Sequence, residues 1–347
     1  MNIPLKKYFA APVLALAILT TVSTAPNSHA DYSTHPEVAE FVDLMVDKHQ
    51  FKREEIINWL KVAEYKESIV KAMSRPAEKV KPWYEYRKHF ISERRIKGGI
   101  KFWQDNKETL ERAKRELGVD PAIIVSIIGV ETNYGSNTGS YKVVDALATL
   151  AFDYYTYTDK RAKRKRFFTA ELENLFLLAR EQKQNPVELK GSYAGAMGLG
   201  QFMPSSYRNY AVDFDDDQFA DIWTNPTDAI GSVANYFHEH GWKQGEAVAM
   251  RANISTDPAE DTLNKLHRPK ATLAELNSQG YKIIEPLAAE TKALPMRFKA
   301  KYGNEYWLGL HNFYVISRYN PRTKYAMAVY QLSELIRERH CAQTSDC

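Results

Sequence analysis

DPAIIVSIIGVETNYG, residues Asp120 to Gly135, reads as a short helix with a start signal, a stop signal and one carboxylate in an apolar setting. Asp120 can cap the first turn, Pro121 suits the first helical position, and Gly135 suits the left-handed residue after the last turn. Ile123, Ile124, Val125, Ile127, Ile128 and Val130 leave little polar face, which predicts a helix buried on most sides. Glu131 falls near its C-terminal end. Desolvation and the negative end of the helix dipole both disfavour ionisation there. A carboxyl that keeps its proton near neutral pH is what a general acid requires. The plainer alternative is a glutamate that simply reaches solvent at the helix end.

Working outward, Phe41, Leu44 and Met45, then Ile56, Ile57, Leu60 and Ala63, form apolar stripes with charged backs, so helices are expected from His35 to about Met73. Arg75-Pro76 breaks that pattern. A single helix from about Lys97 to Leu117 leads into the central stretch. Beyond it, helices are expected over 143–152, 168–183 and 226–242, and an amphipathic one over 324–339. Between Arg251 and Tyr319, stretches such as RANIS, GYKII, MRFKAKY and YWLGLHNFYVISRY, separated by Gly, Asn and Pro signals, predict strands of a small sheet. The class is α+β and predominantly α-helical.

The ends and the composition bound the function. Lys6 and Lys7 precede an apolar run, Ala10 to Val22, that is too short for a permanent span, and Ser28-His29-Ala30 supplies a small-x-small cleavage pattern. Residues 1–30 are therefore expected to be a signal peptide, with an uncleaved anchor as the alternative. No cysteine lies near that site to accept a lipid. Cys341 and Cys347 can close a small loop at the C-terminus in an oxidising compartment, and their spacing fits no common zinc signature. A formal charge of +4 suits an acidic polymer without demanding nucleic acid, and 21 Tyr with 6 Trp offer faces on which sugar rings stack.

Three further stretches carry candidate chemistry. Gly191 to Tyr207, GSYAGAMGLGQFMPSSY, must pack backbone closely, and Gln201 within it needs a partner, either backbone or ligand. Asp213 to Thr224, DFDDDQFADIWT, has acids at positions one, three, five and nine of twelve, a spacing like the calcium loop of an EF-hand. Gln218 stands where that loop has glycine, and Thr224 where it has a bidentate glutamate. Asp228 or Asn225 can supply the missing ligand, and a solvated acidic loop is the alternative. The run Lys160 to Arg166 is a solvated face or a contact for anionic polymer groups, with nucleic acid disfavoured by export.

IIGVETNYG, ALATLAF, GSYAGAMGLGQFMPSSY, DAIGSVANYFHEHGW and NFYVISRYN, in this order from about Tyr86 to Gln331, resemble the lytic murein transglycosylase B family. The resemblance implies a core similar to goose-type lysozyme at 101–245, holding the acidic loop 213–224. It adds a helical domain at 31–100, completed by the helix 324–340, and a small β-containing region at 246–323 that returns to the cleft. It implies cleavage of the β-1,4 bond between N-acetylmuramic acid and N-acetylglucosamine in peptidoglycan, leaving a 1,6-anhydro ring. Glu131 is then the single catalytic acid/base. Ser192, Gln201, Tyr236, Tyr319, Asn320 and Tyr325 fall on motif positions that line the family's glycan cleft, and Tyr86 lies where another cleft tyrosine is expected. A basic pair of the family best matches Lys163 and Arg164, although this chain is longer between there and Glu131. The family's calcium site matches Asp213, Asp215, Asp217 and Asp221, with the backbone oxygen of Phe219 at the seventh position. No cofactor is needed for the chemistry. The expected form is a soluble periplasmic monomer acting on glycan strands, alone or within cell-wall enzyme complexes.

Overall fold

A computed structural model describes residues 31–74, 81–154, 161–284 and 287–344. The leader expected at 1–30, the break at Arg75-Pro76 and Cys347 lie outside the described residues; Cys341 is disulfide-bonded. Three helices come first: α1 (Val38–His49), α2 (Arg53–Lys61) and α3 (Glu67–Ser74). Then follow α4 (Trp83–Tyr86), α5 (Glu93–Asp105), α6 (Lys107–Leu117) and α7 (Pro121–Thr132). A short strand β1 (Tyr141–Lys142) precedes α8 (Val143–Ala148), a π-helical turn (Thr149–Asp153) and α9 (Arg161–Glu181). Strand β2 (Lys190–Gly191) pairs with β1, and α10 (Pro204–Tyr210) and α11 (Pro226–Glu239) follow. The second half holds β3 (Ala249–Ile254), β4 (Ala271–Thr272), α12 (Leu273–Ser278), β5 (Tyr281–Ile283), β6 (Lys292–Lys299) and β7 (Asn304–Gly309). Helices α13 (His311–Tyr319) and α14 (Thr323–Cys341) close it.

Two large hydrophobic cores organise these elements. The first joins residues of α4 to α7, α11, α13, α14 and one face of the sheet. The second joins α1 to α3 with α8, the π turn, α9 and the segment around Met197 to Tyr207. Tyr319 packs against both. This arrangement departs from a helical unit at 31–100 completed by 324–340. Helix α14 lies on α7 and α5, whereas α2 and α3 meet the second core. An apolar stripe demands burial without naming its partner. Here Val329 finds α7 and Ile336 finds α5 at Gly99, and Ser126 Oγ donates to the Val329 carbonyl at 2.6 Å across the first contact.

The β6–β7 hairpin sits inside a five-stranded antiparallel sheet of order β4-β6-β7-β3-β5. Alternation along β6 turns Leu294, Met296 and Phe298 to the first core, while Ala293 joins Met250, Leu308 and the α12 leucines in a small third cluster. Two expectations are corrected. YWLGLHNFYVISRY is a strand only to Gly309, and its second half is α13, whose Phe313, Val315 and Ile316 are buried at helical spacing. The helix expected over 97–117 breaks at Asn106, whose side-chain amide donates to the Phe102 carbonyl at 2.8 Å. Among the described residues no helix is long and apolar enough to cross a membrane.

Candidate active site

Helix α7 runs through the first core. Asp120 caps it by accepting from Ala122 N–H at 2.9 Å, and Pro121 opens it. Of its twelve residues, every one but Glu131 is buried. The helix ends two residues earlier than the glycine signal suggested. Asn133, at φ 51°, takes the left-handed position, and Tyr134 (φ 59°) and Gly135 (φ 82°) continue it. The Tyr134 ring then folds back into space left by Gly98, Gly99 and Gly129, and its hydroxyl donates to the Arg95 carbonyl at 2.9 Å. A Cβ on Gly129 would stand 2.4 Å from that hydroxyl, so glycine is required there.

Glu131 thereby emerges at the seam between the two cores. Its carboxylate accepts a hydrogen bond from the Tyr325 hydroxyl at 2.5 Å. Desolvation pushes its pKa up to about 7, and the Tyr325 bond opposes that only in part. The other buried carboxylates are differently equipped. Asp145 accepts from Glu64 N–H at 3.0 Å, with Lys66 at 3.5 Å. Glu171 accepts from the backbone and hydroxyl of Ser205 at 2.9 and 2.7 Å. Asp228 accepts from Phe214 and Asp221 N–H at 2.7 Å each, so these three hold structure together, and among the described residues Glu131 is left as the acid in this core without a backbone donor.

Tyrosines surround it. Burial raises the Tyr319 and Tyr325 hydroxyls well above the ordinary tyrosine range, and the charge of Glu131 adds to both. Tyr86 is raised by burial, with Arg322 pulling down and Glu131 pushing up. The Lys324 ammonium stands 6.0 Å from the Tyr86 ring centroid and donates to the Lys81 carbonyl at 2.5 Å. Arg322 and Lys324 were not foreseen; the only signal was their position in NPRTKY, between two expected cleft residues.

The glycine-rich segment closes in from the second core. Thr132 Oγ1 donates to the Leu199 carbonyl at 2.9 Å, and the Tyr319 hydroxyl donates to the Gly200 carbonyl at 2.5 Å. A Cβ on Gly200 would meet that hydroxyl at 2.9 Å. Gln201, at φ 54°, donates its side-chain amide to the carbonyls of Thr138 and Gly198 at 3.1 and 3.0 Å, so its partner is backbone. Tyr236 packs against Tyr319 with ring centroids 4.7 Å apart, and its hydroxyl donates to the Arg318 carbonyl at 2.7 Å. Asn320 ends α13 between Tyr319 and the Arg322–Lys324 pair. Ser192 Oγ accepts from Ala196 N–H at 3.1 Å beside Gly139, shaping the turn that carries the segment. Lys163 and Arg164 are exposed near the start of α9, whose main neighbours are α8, α10 and the π turn.

The acidic loop forms a separate site. Asp213, Asp215, Asp217 and Asp228 each place a carboxylate oxygen within 4.8 Å of the others. Asp221 lies outside that cluster: its side chain accepts from Trp223 N–H at 2.9 Å, Thr224 N–H at 3.0 Å and the Thr224 hydroxyl, whereas Asp228, one of the two residues offered for the missing ligand, joins the cluster from α11. Gln218 makes the sharp turn at φ 79° without glycine. Phe219 N–H donates to Asp217 at 2.9 Å. Four clustered hard oxygens suit a divalent cation such as calcium.

Residues 33–334 match the transglycosylase SLT domain. The chain belongs to this family. It is 42% identical over 315 residues to the membrane-bound lytic murein transglycosylase B of Escherichia coli K12, covering 88% of this chain and 84% of that protein. Among solved structures, catenated lytic transglycosylase SltB1 from Pseudomonas aeruginosa aligns with a TM-score of 0.84 at 51% identity, over 89% of this chain and 99% of that one. The Escherichia coli lytic transglycosylase Slt35 in complex with calcium aligns with a TM-score of 0.79 at 41% identity, over 90% and 96%. Lytic transglycosylases are enzymes that cleave peptidoglycan glycosidic bonds, leaving an anhydro product and needing no cofactor. The mostly helical, lysozyme-like architecture is theirs.

Proposed function

We infer that this lytic transglycosylase cleaves the β-1,4 bond between N-acetylmuramic acid and N-acetylglucosamine in peptidoglycan through Glu131 alone. One observation carries the assignment: the single solvent-reaching residue of a buried helix is a carboxyl with a pKa near 7 and only Tyr325 as its partner. At neutral pH a large share of it holds a proton. Glu131 gives that proton to the glycosidic oxygen as the bond to C1 breaks. The carboxylate left behind takes the proton of the muramoyl C6 hydroxyl while O6 bonds to C1. One C–O bond breaks, one forms, the acid is regenerated, and no water is consumed. Attack within one sugar has a large effective-concentration advantage, so a cleft that excludes water favours the ring over hydrolysis. Hydrolytic glycosidases pair two carboxylates across the bond. Glu131 has tyrosines for electrostatic neighbours. Tyr86, Tyr236, Tyr319, Tyr325, Gln201, Asn320 and Ser192 line or support the glycan path, and Lys163 with Arg164 offers charge to anionic groups on the polymer.

The reading extends to calcium at Asp213, Asp215, Asp217 and Asp228 as a structural ion. It also extends to export through the 1–30 leader and to work in the periplasm as a soluble monomer. Mass spectrometry of products from purified peptidoglycan tests the chemistry. Muropeptides ending in 1,6-anhydro-muramic acid, absent with Glu131→Gln, are expected. Reducing ends, each heavier by one water, would make the enzyme a hydrolase and overturn the single-acid mechanism.

A further inference from the structure

A second recess lies beside the cleft, between the segment 83–91, in which α4 runs on through a 3-10 turn at Arg87–His89, and the β6–β7 hairpin. It is lined by Tyr84, Arg87, Lys88, Ile91, Lys301 and Tyr302. Tyr84, Arg87, Lys88 and Ile91 follow one another at spacings of three, one and three residues, so they share a face. The Tyr86 and Phe90 rings pack at a tilt, with centroids 5.2 Å apart, and Tyr86 also meets Lys324, the neighbour in sequence of Tyr325, at 6.0 Å and feels the charge of Glu131. One helical run therefore borders both the acid's cleft and the groove.

The groove is basic and its charges are unspent. Arg87 stands 5.9 Å over the Trp83 ring, and Lys301 stands 5.1 Å over Tyr302. Neither they nor Lys88 pairs with a carboxylate among the described residues. Glu305, the acid in the lining, is already bonded to Arg251 at 3.2 Å and to the Trp307 indole at 3.3 Å. Tyr302, 82% exposed at the hairpin tip, offers a flat face at the rim. Three cations and two tyrosines around a recess select a chain that carries carboxylates, because charge-assisted bonds to carboxylates are the strong ones while neutral sugar hydroxyls gain little from them.

We propose that this groove binds the acidic stem peptide borne by the muramoyl residue of the strand being cut. The proposal rests on the reading of the chain as a peptidoglycan-cleaving enzyme. Length supports it. An extended stem of four or five residues spans roughly 13–18 Å. A helix with its side chains is about 10–12 Å across. A peptide rooted on a sugar at Glu131 can therefore pass the 83–91 run and set its carboxylates among Arg87, Lys88 and Lys301.

The test compares stem-bearing peptidoglycan with the same glycan strands stripped of peptides by an amidase. It uses the wild-type enzyme, Lys88→Glu/Lys301→Glu and the milder Lys88→Gln/Lys301→Gln. Both lysines are exposed, and a thermal melt checks folding. The charge reversal should raise KM about tenfold on stem-bearing substrate, with the glutamine pair intermediate. Neither should alter KM on stripped strands. Added salt should shrink the difference. An equal rise on both substrates would assign the groove to sugar and overturn the proposal, as would no change on either. Wild-type enzyme that cut neither substrate would instead bring down the underlying functional reading.

Discussion

Two groups of carboxylates in this molecule are treated in opposite ways. Glu131 is one acid on a helix whose other residues are buried, and among the described residues it meets only a tyrosine hydroxyl. Asp213, Asp215, Asp217 and Asp228 crowd together at the surface end of α11. Desolvation is the largest single influence on Asp213 and raises it, but the backbone N–H groups of Gln218, Asp217, Asp216 and Asp215 together outweigh it and hold its carboxyl below the usual range. The first environment keeps a proton, and at Asp213 the second gives it away. A held proton can be donated to a glycosidic oxygen, whereas bare clustered oxygens can only bind a cation. Environment, more than residue type, divides the labour.

The largest effect that can break this contrast is loss of the acid. Glu131→Gln should lower turnover on peptidoglycan by about a thousandfold or more, while Asp217→Asn should leave it within about twofold in excess calcium. Comparable losses in both would erase the distinction.

The contrast sharpens at Tyr325. Tyr325→Phe removes the one bond that favours the ionised form of Glu131, so the acid's pKa should move further up. In the wild type, kcat/KM should fall as pH rises through about 7, because the protonated carboxyl is the active form. In the variant this basic limb should lie at higher pH, with kcat lowered by about tenfold to a hundredfold through lost positioning. An unmoved limb would detach Tyr325 from the acid's ionisation.

At the acidic loop, millimolar calcium should raise Tm by about 5 °C. Asp213→Asn or Asp228→Asn should abolish that rise and Asp221→Asn should not. A loss in Asp221→Asn equal to that in Asp228→Asn would restore the ligand set read from spacing.

The smallest effect is on stability without substrate. A carboxyl whose folded pKa is raised costs stability once pH exceeds its unfolded value, and the full cost is reached above its folded pKa. For Glu131 that window runs from about 4.5 to about 7. Glu131→Gln should therefore melt about 2 °C above wild type at pH 8, with little difference at pH 4.5, as followed by circular dichroism.

The buried helix and its one emerging carboxyl were legible because every signal for them is local. Cap, proline and apolar run stand within sixteen residues of one another. The helix end was less so, since Asn133 can take a left-handed conformation as glycine does, and what fixes it there is Tyr134 filling the space beside Gly98, Gly99 and Gly129. Which helices share a core was not legible. The stripes of α1, α2 and α14 look alike in sequence, yet the first two bury in one core and the third in the other. Asp221 fits the loop spacing as well as its neighbours do. Spacing already offered Asp228 for the missing ligand; what it does not encode is that Trp223 and Thr224 claim the oxygens of Asp221. The recess beside Tyr86 joins segments more than two hundred residues apart, a pairing that local pattern does not encode.

The hydroxyl that meets Glu131 comes from α14, 194 residues along the chain. Proteins are made from the N-terminus, and early segments begin to order before late ones exist. The acid's helix can therefore be complete while the ribosome has yet to supply its partner, and the same gap applies to Tyr319 and Arg322. A chain halted before α13 would carry Glu131 without the burial and the hydroxyl that α13 and α14 bring, beside an unbuilt cleft. A catalyst that severs the polymer holding a cell together is thus completed by its last described helix, so a copy clipped before α13 lacks three of the residues that surround Glu131.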